Sequence, residues 1–301
     1  MKAKDWGAFA LLGCIWGSSF LWIKIAVREV DPFTLVGWRL LFGLLGMIVV
    51  VGLRRPAFPR DRRTWIFMAI LGITNTALPF VLISWGEKTI DSAVASILNS
   101  TVPLFTLVIA HLFLHDDRIS LPKVVGLLTG FGGILVLLLR DLLPGGQGIT
   151  LLGQAAVVLG AIAYAGSSVF ARRTMREVSP MVQAFVPMVA ADASVWAVAT
   201  QAGSPGRLPV IPLTWVALLW LGLLGSCAAY LLYYHLLHSV GATRTTMVTY
   251  VFPVVGVALG VLFLGEQADW HLLVGALLVV SGIGVVNWPT KPALVPAPAA
   301  D

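Results

Sequence analysis

Apolar residues run through this chain in ten long blocks separated by short charged or Pro/Gly-rich breaks. Each block is about the length at which a helix crosses the hydrocarbon core of a bilayer. The blocks lie at 6–27, 33–53, 65–86, 92–114, 121–140, 149–171, 181–202, 213–237, 245–264 and 271–288, here called spans 1 to 10. Two of them carry an unexpected polar stripe. Ser92, Ser96, Asn99 and Pro103 in span 4 stand at i, i+4, i+7 and i+11, which places them on one helix face. Ala242, Thr246, Thr249 and Pro253 in span 9 repeat that spacing 150 residues later.

Other segments follow nearly the same offset, between 148 and 150 residues. Gly17-Ser18-Ser19 in span 1 is echoed by Gly166-Ser167-Ser168 in span 6, and Arg28-Glu29-Val30 by Arg176-Glu177-Val178. Leu112-Phe113-Leu114 closes span 4 as Leu262-Phe263-Leu264 closes span 9. The common order of these matches predicts two five-span repeats, over residues 1–142 and 149–289, with a disordered tail at 290–301. Five spans is an odd number, so the second repeat runs inverted through the membrane. Inverted repeats with interrupted helices and polar groups near mid-membrane are the architecture of secondary transporters. Serine and threonine also help helices pack, so a stripe alone does not separate a pathway from an interface.

Composition agrees with the pattern. The 301 residues are 58% hydrophobic and only 11% charged, about half the charge fraction of a soluble domain. The net charge of +6 does not indicate nucleic acid, because its distribution follows the topology. With the N-terminus in the cytoplasm, 14 basic residues fall on the inner side and four on the outer, with Lys24 and Arg39 inside spans. The positive-inside rule then predicts that both termini are cytoplasmic. Cys14 and Cys227 both lie within spans and imply neither a disulfide framework nor a metal site. The five histidines form no metal-ligand pattern, and no cofactor is expected.

Ionisable residues within spans are costly without a partner or water and so are the first candidates for function. Lys24, near the end of span 1, either snorkels to the interface or faces the pathway. Arg39, about two turns into span 2, either binds a substrate carboxylate or forms a fixed ion pair. Asp192, mid-span 7, is the only carboxylate at that depth; it exchanges protons, pairs with a basic group or caps broken backbone. The candidate lining is aromatic with polar tips: Trp16 and Phe20, Asn75, Phe80 and Ser84, Ser96 and Asn99, Tyr164, Tyr230 and Tyr234, and Thr246, Thr249 and Tyr250. Such walls suit an amphipathic solute, although aromatics equally fill helix interfaces. Trp65, Trp270 and Trp288 are expected at the lipid interface. Pro103 and Pro253 are the expected helix breaks. Gly126-xxx-Gly130 and Gly256-xxx-Gly260 read as close helix packing, with oligomerisation as the weaker use.

The chain resembles the drug/metabolite transporter superfamily, specifically its ten-helix EamA-type permeases. The likeness is carried by Ile15-Trp16-Gly17-Ser18-Ser19-Phe20, by Pro32 with Arg39, and by the stretch from Ala93 to Val136 with Pro103 and Leu112-Phe113-Leu114. Its counterpart from Gly241 to Val286 contains Pro253 and Leu264-Gly265-Glu266. Where the family often ends span 4 with Leu-Gly-Glu, this chain has Leu114-His115-Asp116-Asp117. The resemblance implies an all-α integral membrane protein of the bacterial inner membrane. It further implies transport of small metabolites, often amino acids and frequently outward. Small multidrug transporters, distant relatives, exchange protons at a span 1 glutamate, and this chain has no acidic residue between Trp6 and Val27.

The expected function is therefore a secondary carrier for small amphipathic metabolites, amino acids first, working by alternating access. A multidrug or nucleoside permease of the same fold is the alternative. A membrane-embedded enzyme would need a catalytic constellation at membrane depth. The sequence contains no His-Glu-x-x-His, Gly-x-Ser-x-Gly or Gly-x-x-x-x-Gly-Lys-Ser/Thr motif. A scaffold would need a domain or long loop to meet a partner, and none is available. The expected partners are a small-molecule substrate and the lipid bilayer.

Overall fold

Charged and proline punctuation decides where each helix begins. In the computed structural model, Asp31 precedes Pro32 and accepts hydrogen bonds from the Phe33 and Thr34 amides at 3.0 and 3.1 Å. Asp61 accepts from Thr64 at 2.7 Å and Asp269 from Leu272 at 2.9 Å. Each carboxylate caps amides that the first helical turn leaves free. The described residues are 2–113, 120–142, 148–201, 208–240, 245 and 247–287. Several sequence expectations lie outside them: the tail from 290, Ala242, Thr246, Trp288 and the His115-Asp116-Asp117 segment. The Tyr234 side chain is outside them too.

The helices are α1 (Ala3–Ala26), α2 (Pro32–Arg54), α3 (Arg62–Gly72), α4 (Leu78–Gly86), α5 (Ser92–Asn99), α6 (Val102–Phe113) and α7 (Leu121–Leu142) in the first half. The second half holds α8 (Gly148–Thr174), α9 (Pro180–Gln201), α10 (Pro212–Leu219), α11 (Ala229–Val240), α12 (Val251–Leu264) and α13 (Trp270–Val286). No strand occurs among the described residues. They assemble into ten antiparallel crossings that match the ten predicted spans to within a few residues. We call the face where α1 begins proximal and the face where it ends distal. Among the described residues, nine crossings are long and apolar enough to span a membrane, and α13 is a shorter apolar helix.

Four crossings are interrupted, in matched pairs. Span 3 passes from α3 to α4 through a π-helical segment, Ile73–Ala77, and span 8 from α10 to α11 through another, Trp220–Ala228. Span 4 breaks between Asn99 and Val102, just before Pro103. Span 9 opens with a 3₁₀ turn, Met247–Tyr250, and becomes α-helical two residues before Pro253. The two halves thus share their irregularities as well as their sequence, as two inverted five-helix repeats should.

Close packing joins the repeats. Gly126 and Gly130 of α7 lie against Gly282 of α13, so near that a Cβ added at Gly126 or Gly282 would meet backbone atoms. The Gly-xxx-Gly pairs are packing seams, as their spacing implied. Gly256 of α12 receives the Ser96 side chain of α5, and Gly260 receives the Glu266 carboxylate with the Ser92 hydroxyl beside it. Trp65 and Trp270 are exposed on the bundle surface.

Candidate functional site

Arg39 organises the interior. It lies two turns into α2, is 4% exposed, and its Nε donates to Ser226 Oγ at 3.1 Å. Its guanidinium carbon stands 3.7 Å above the Phe80 ring of α4, a cation–π contact that desolvation strengthens. Tyr164 of α8, Tyr230 of α11 and Glu87 are within electrostatic reach of it. Among the described residues, no carboxylate forms an ion pair with Arg39. A fixed structural ion pair, one of the two sequence expectations for this residue, is therefore absent from this arrangement.

The π segment of span 8 makes the Arg39 contact possible. A π turn shifts the backbone ladder and leaves carbonyls that other groups must satisfy. Ser226 Oγ donates to Leu221 O at 3.0 Å, five residues back, and so presents its lone pairs to Arg39. One residue earlier, Gly225 O accepts from Trp16 Nε1 of α1 at 3.1 Å. Arg39 and Trp16 are thus both anchored on one irregular turn.

Around Trp16 an aromatic wall forms. Its ring lies 6.2 Å from Tyr230, 5.7 Å from Tyr233 and 6.1 Å from Phe252, and Phe20 is 6.5 Å from Phe252. Edge and tilted geometries of this kind are favoured by the ring quadrupole. Tyr230 also hydrogen-bonds Thr76 in the π segment of span 3. The structure thus gathers Trp16, Phe20, Arg39, Phe80, Tyr164 and Tyr230 from five spans into one cluster.

The remaining predicted residues are placed differently. Ser96 packs on Gly256 and donates to Ala93 O at 2.7 Å, so the upper part of the stripe lies in the interface between spans 4 and 9. Asn99 is 8% exposed, and its Oδ1 has no protein partner. Ser84 is buried with an unpartnered hydroxyl. Asn75 and Thr249 are half-buried. The Tyr250 hydroxyl donates to Ile283 O at 2.6 Å and accepts from Asn287, which ties span 9 to span 10. Asp192 accepts from Trp196 one turn along α9, and Trp196 packs on Gly37 of α2.

Lys24 does not snorkel freely. Its Nζ donates to Glu87 O and Ile90 O, both at 2.7 Å, where α4 ends. A cation there satisfies orphan carbonyls and complements the helix dipole. Nearby, Gly265 takes a left-handed φ of 69° at the end of α12, a conformation that favours glycine. Beyond that turn, Glu266 accepts from the Ser92 and Ala93 amides at 2.7 and 2.9 Å.

Sequence reasoning missed Glu87, Ser226 and Thr76. Glu87 follows an apolar block directly and resembles an ordinary loop charge. The available signal was the five-residue connection from 87 to 91, too short to carry its side chains clear of the bundle. On the other face of α1, Leu11, Cys14, Leu231 and Val255 line an apolar groove of about 670 Å³. It is separate from the polar cluster that faces Arg39.

Comparison with known proteins agrees with this architecture. The model of the EamA-like transporter family matches residues 6–139 and again 151–288. The uncharacterized inner membrane transporter YedA of Escherichia coli K12 is 30% identical over 96% of this chain and 94% of its own. The uncharacterized transporter YoaV of Bacillus subtilis 168 is 25% identical over 89% of this chain and 91% of its own. A solved crystal structure superposes over 95% of this chain and 98% of its own with a TM-score of 0.67 at 20% identity, which supports the fold. Doubled family match, inverted five-helix repeats and paired helix interruptions converge: this multi-pass membrane protein belongs to the EamA-like transporter family.

Proposed function

We propose that this transporter carries small amphipathic metabolites bearing a carboxylate, amino acids first, by alternating access between its two repeats. The observation that carries this reading is Arg39, a buried guanidinium with no ion pair to a protein carboxylate among the described residues. Charge buried without a counter-ion is costly, and a substrate carboxylate would supply one in bidentate geometry. Trp16, Phe20, Phe80 and Tyr230 provide apolar walls for the rest of the solute, with Asn99, Ser84 and Tyr164 as polar tips. Because the cluster is closely packed, entry requires the repeats to separate at one face, with the breaks before Pro103 and Pro253 as hinges. We assign the proximal face to the cytoplasm on the positive-inside rule, and export as the working direction.

The test is purified protein in liposomes with labelled amino acids, nucleosides and cationic drugs, loaded inside or outside. Anionic or zwitterionic amino acids are expected to move and cationic drugs to be refused, because Arg39 repels them. Movement of drugs alone would favour the multidrug alternative. No movement under any gradient would sink the carrier reading.

A further inference from the structure

Three glutamates gather at the distal face, and two are satisfied alike. Glu266 accepts the Ser92 and Ala93 amides. Glu29 accepts through Oε1 from the Val210 and Ile211 amides, the latter at 3.0 Å. Both sit at helix N-termini, where free amides and the helix dipole favour an anion. Glu87 has neither advantage. It is the residue that caps the C-terminus of α4, where the dipole opposes a carboxylate. It is 0% exposed, and neither of its carboxyl oxygens has a hydrogen-bond partner. The Lys24 ammonium, which could neutralise it, is committed to the backbone carbonyls of Glu87 and Ile90.

Charged groups face Glu87 from several elements. Lys24 reaches it from α1, Glu266 from the connection after α12, and Arg39 from α2. Lys88 and Asp91 share its own connection, while α8 packs Gly153 and Val157 against Gly86. Burial pushes the Glu87 carboxyl well above the ordinary carboxylate range; Lys24 and Arg39 pull it down, and Glu266 raises it further. Beside this group a cavity of about 290 Å³ is lined by Lys24, Arg28, Asp91, Leu264, Glu266 and Gln267.

We propose that Glu87 is a proton-binding site, neutral while Lys24 is held by the Glu87 and Ile90 carbonyls as here and ionised once Lys24 leaves them. On opening, the carboxyl gives its proton to water, and the freed ammonium balances the charge that remains. Each cycle moves a proton across only when Glu87 regains it from the proximal side, by way of the Arg39 cluster within electrostatic reach of it, before the distal face opens again. This deepens the carrier reading above and rests on it. It also supplies a coupling device to a chain whose first span has no carboxylate between Trp6 and Val27.

The test is an infrared pH titration of the purified protein. Wild type is expected to keep a protonated-carboxyl carbonyl band at neutral pH that Glu87→Gln removes and Asp192→Asn leaves in place. Lys24→Gln, which keeps a donor for the carbonyls and loses the charge, should raise the titration midpoint by roughly one pH unit or more. No band lost in Glu87→Gln, or an unmoved midpoint in Lys24→Gln, would overturn the site. Elution as a single species shows that each variant has folded, and Glu87→Asp repeats the titration if Glu87→Gln has not. In liposomes with labelled leucine, Glu87→Gln should keep exchange at equal pH and lose the flux driven by a pH gradient. Gradient-driven flux equal to wild type would overturn the coupling. Wild type that fails to move leucine contradicts the amino-acid reading, whereas the infrared result bears on the proton alone.

Discussion

The two π-helical segments occupy equivalent places in the repeats and serve different ends. Ile73–Ala77 shifted by the 150-residue offset falls inside Trp220–Ala228. The shorter segment, five residues, acts through side chains: Thr76 bonds Tyr230, and Thr74 accepts from Ser167 at 2.8 Å. The longer, nine residues, acts through backbone. Its Leu221 and Gly225 carbonyls hold Ser226 and Trp16, and through Ser226 the segment holds Arg39. Duplication supplied one π-helical segment to each half. The number of ladder bonds each gives up decides how much free backbone acceptor it can offer. Only the second segment offers enough to fix a buried cation.

If that division is right, damage should fall unequally on the two segments. The largest effect belongs to Arg39→Gln, which removes the charge that the span 8 segment holds. A charge-assisted bond contributes about 1.5–3 kcal/mol, so transport of a carboxylate solute should drop by roughly 10- to 100-fold. Initial rates in liposomes measure it, and a variant within a factor of about two of wild type would separate Arg39 from the solute. Next comes the direct contrast. Ser226→Ala leaves the Arg39 Nε without its acceptor and should lower the rate about tenfold, from a loss near 1.4 kcal/mol. Thr76→Val removes one hydrogen bond to Tyr230 and should cost about two- to fivefold. Equal losses in both variants would mean that the segments are equivalent and would break the contrast.

Much of this was legible beforehand, for physical reasons. Ten apolar blocks fix ten crossings because a helix needs about 20 residues to span a bilayer, and the shared offset fixes the inversion. Arg39, Trp16 and Phe80 stood out because a cation or a large ring inside an apolar block is conspicuous. The π segments were not legible, since Ile73–Ala77 and Trp220–Ala228 have unremarkable helical composition. Without them nothing pointed to Ser226 or to the Gly225 carbonyl. The stripe of span 4 misled for a related reason. Helical spacing puts Ser92, Ser96 and Asn99 on one face, but whether that face meets a cavity depends on the partner. Its partner holds Gly256 and Gly260, which let α12 approach until Ser96 is sealed between helices. Asn99 Oδ1, like the Ser92 hydroxyl beside Gly260, is left without a hydrogen-bond partner.

The smallest effect gives the sharpest check on the span 3 segment. Ser167 of α8 donates to Thr74 Oγ1, and Thr74 itself donates to Ile70 O at 3.0 Å. Removing Ser167 leaves Thr74 with its own bond intact and uncovers no charge. Ser167→Ala should therefore cost about 1 kcal/mol of stability at most and leave transport within a factor of about two. Thermal unfolding in detergent and the same liposome rates separate the two quantities. A stability loss without a transport loss would mark the Thr74 end of the segment as a tie between spans 3 and 6, with Thr76 linking the segment to the Arg39 cluster. A transport loss as large as that of Ser226→Ala would instead extend the site along the whole segment and make the first half as much a part of it as the second.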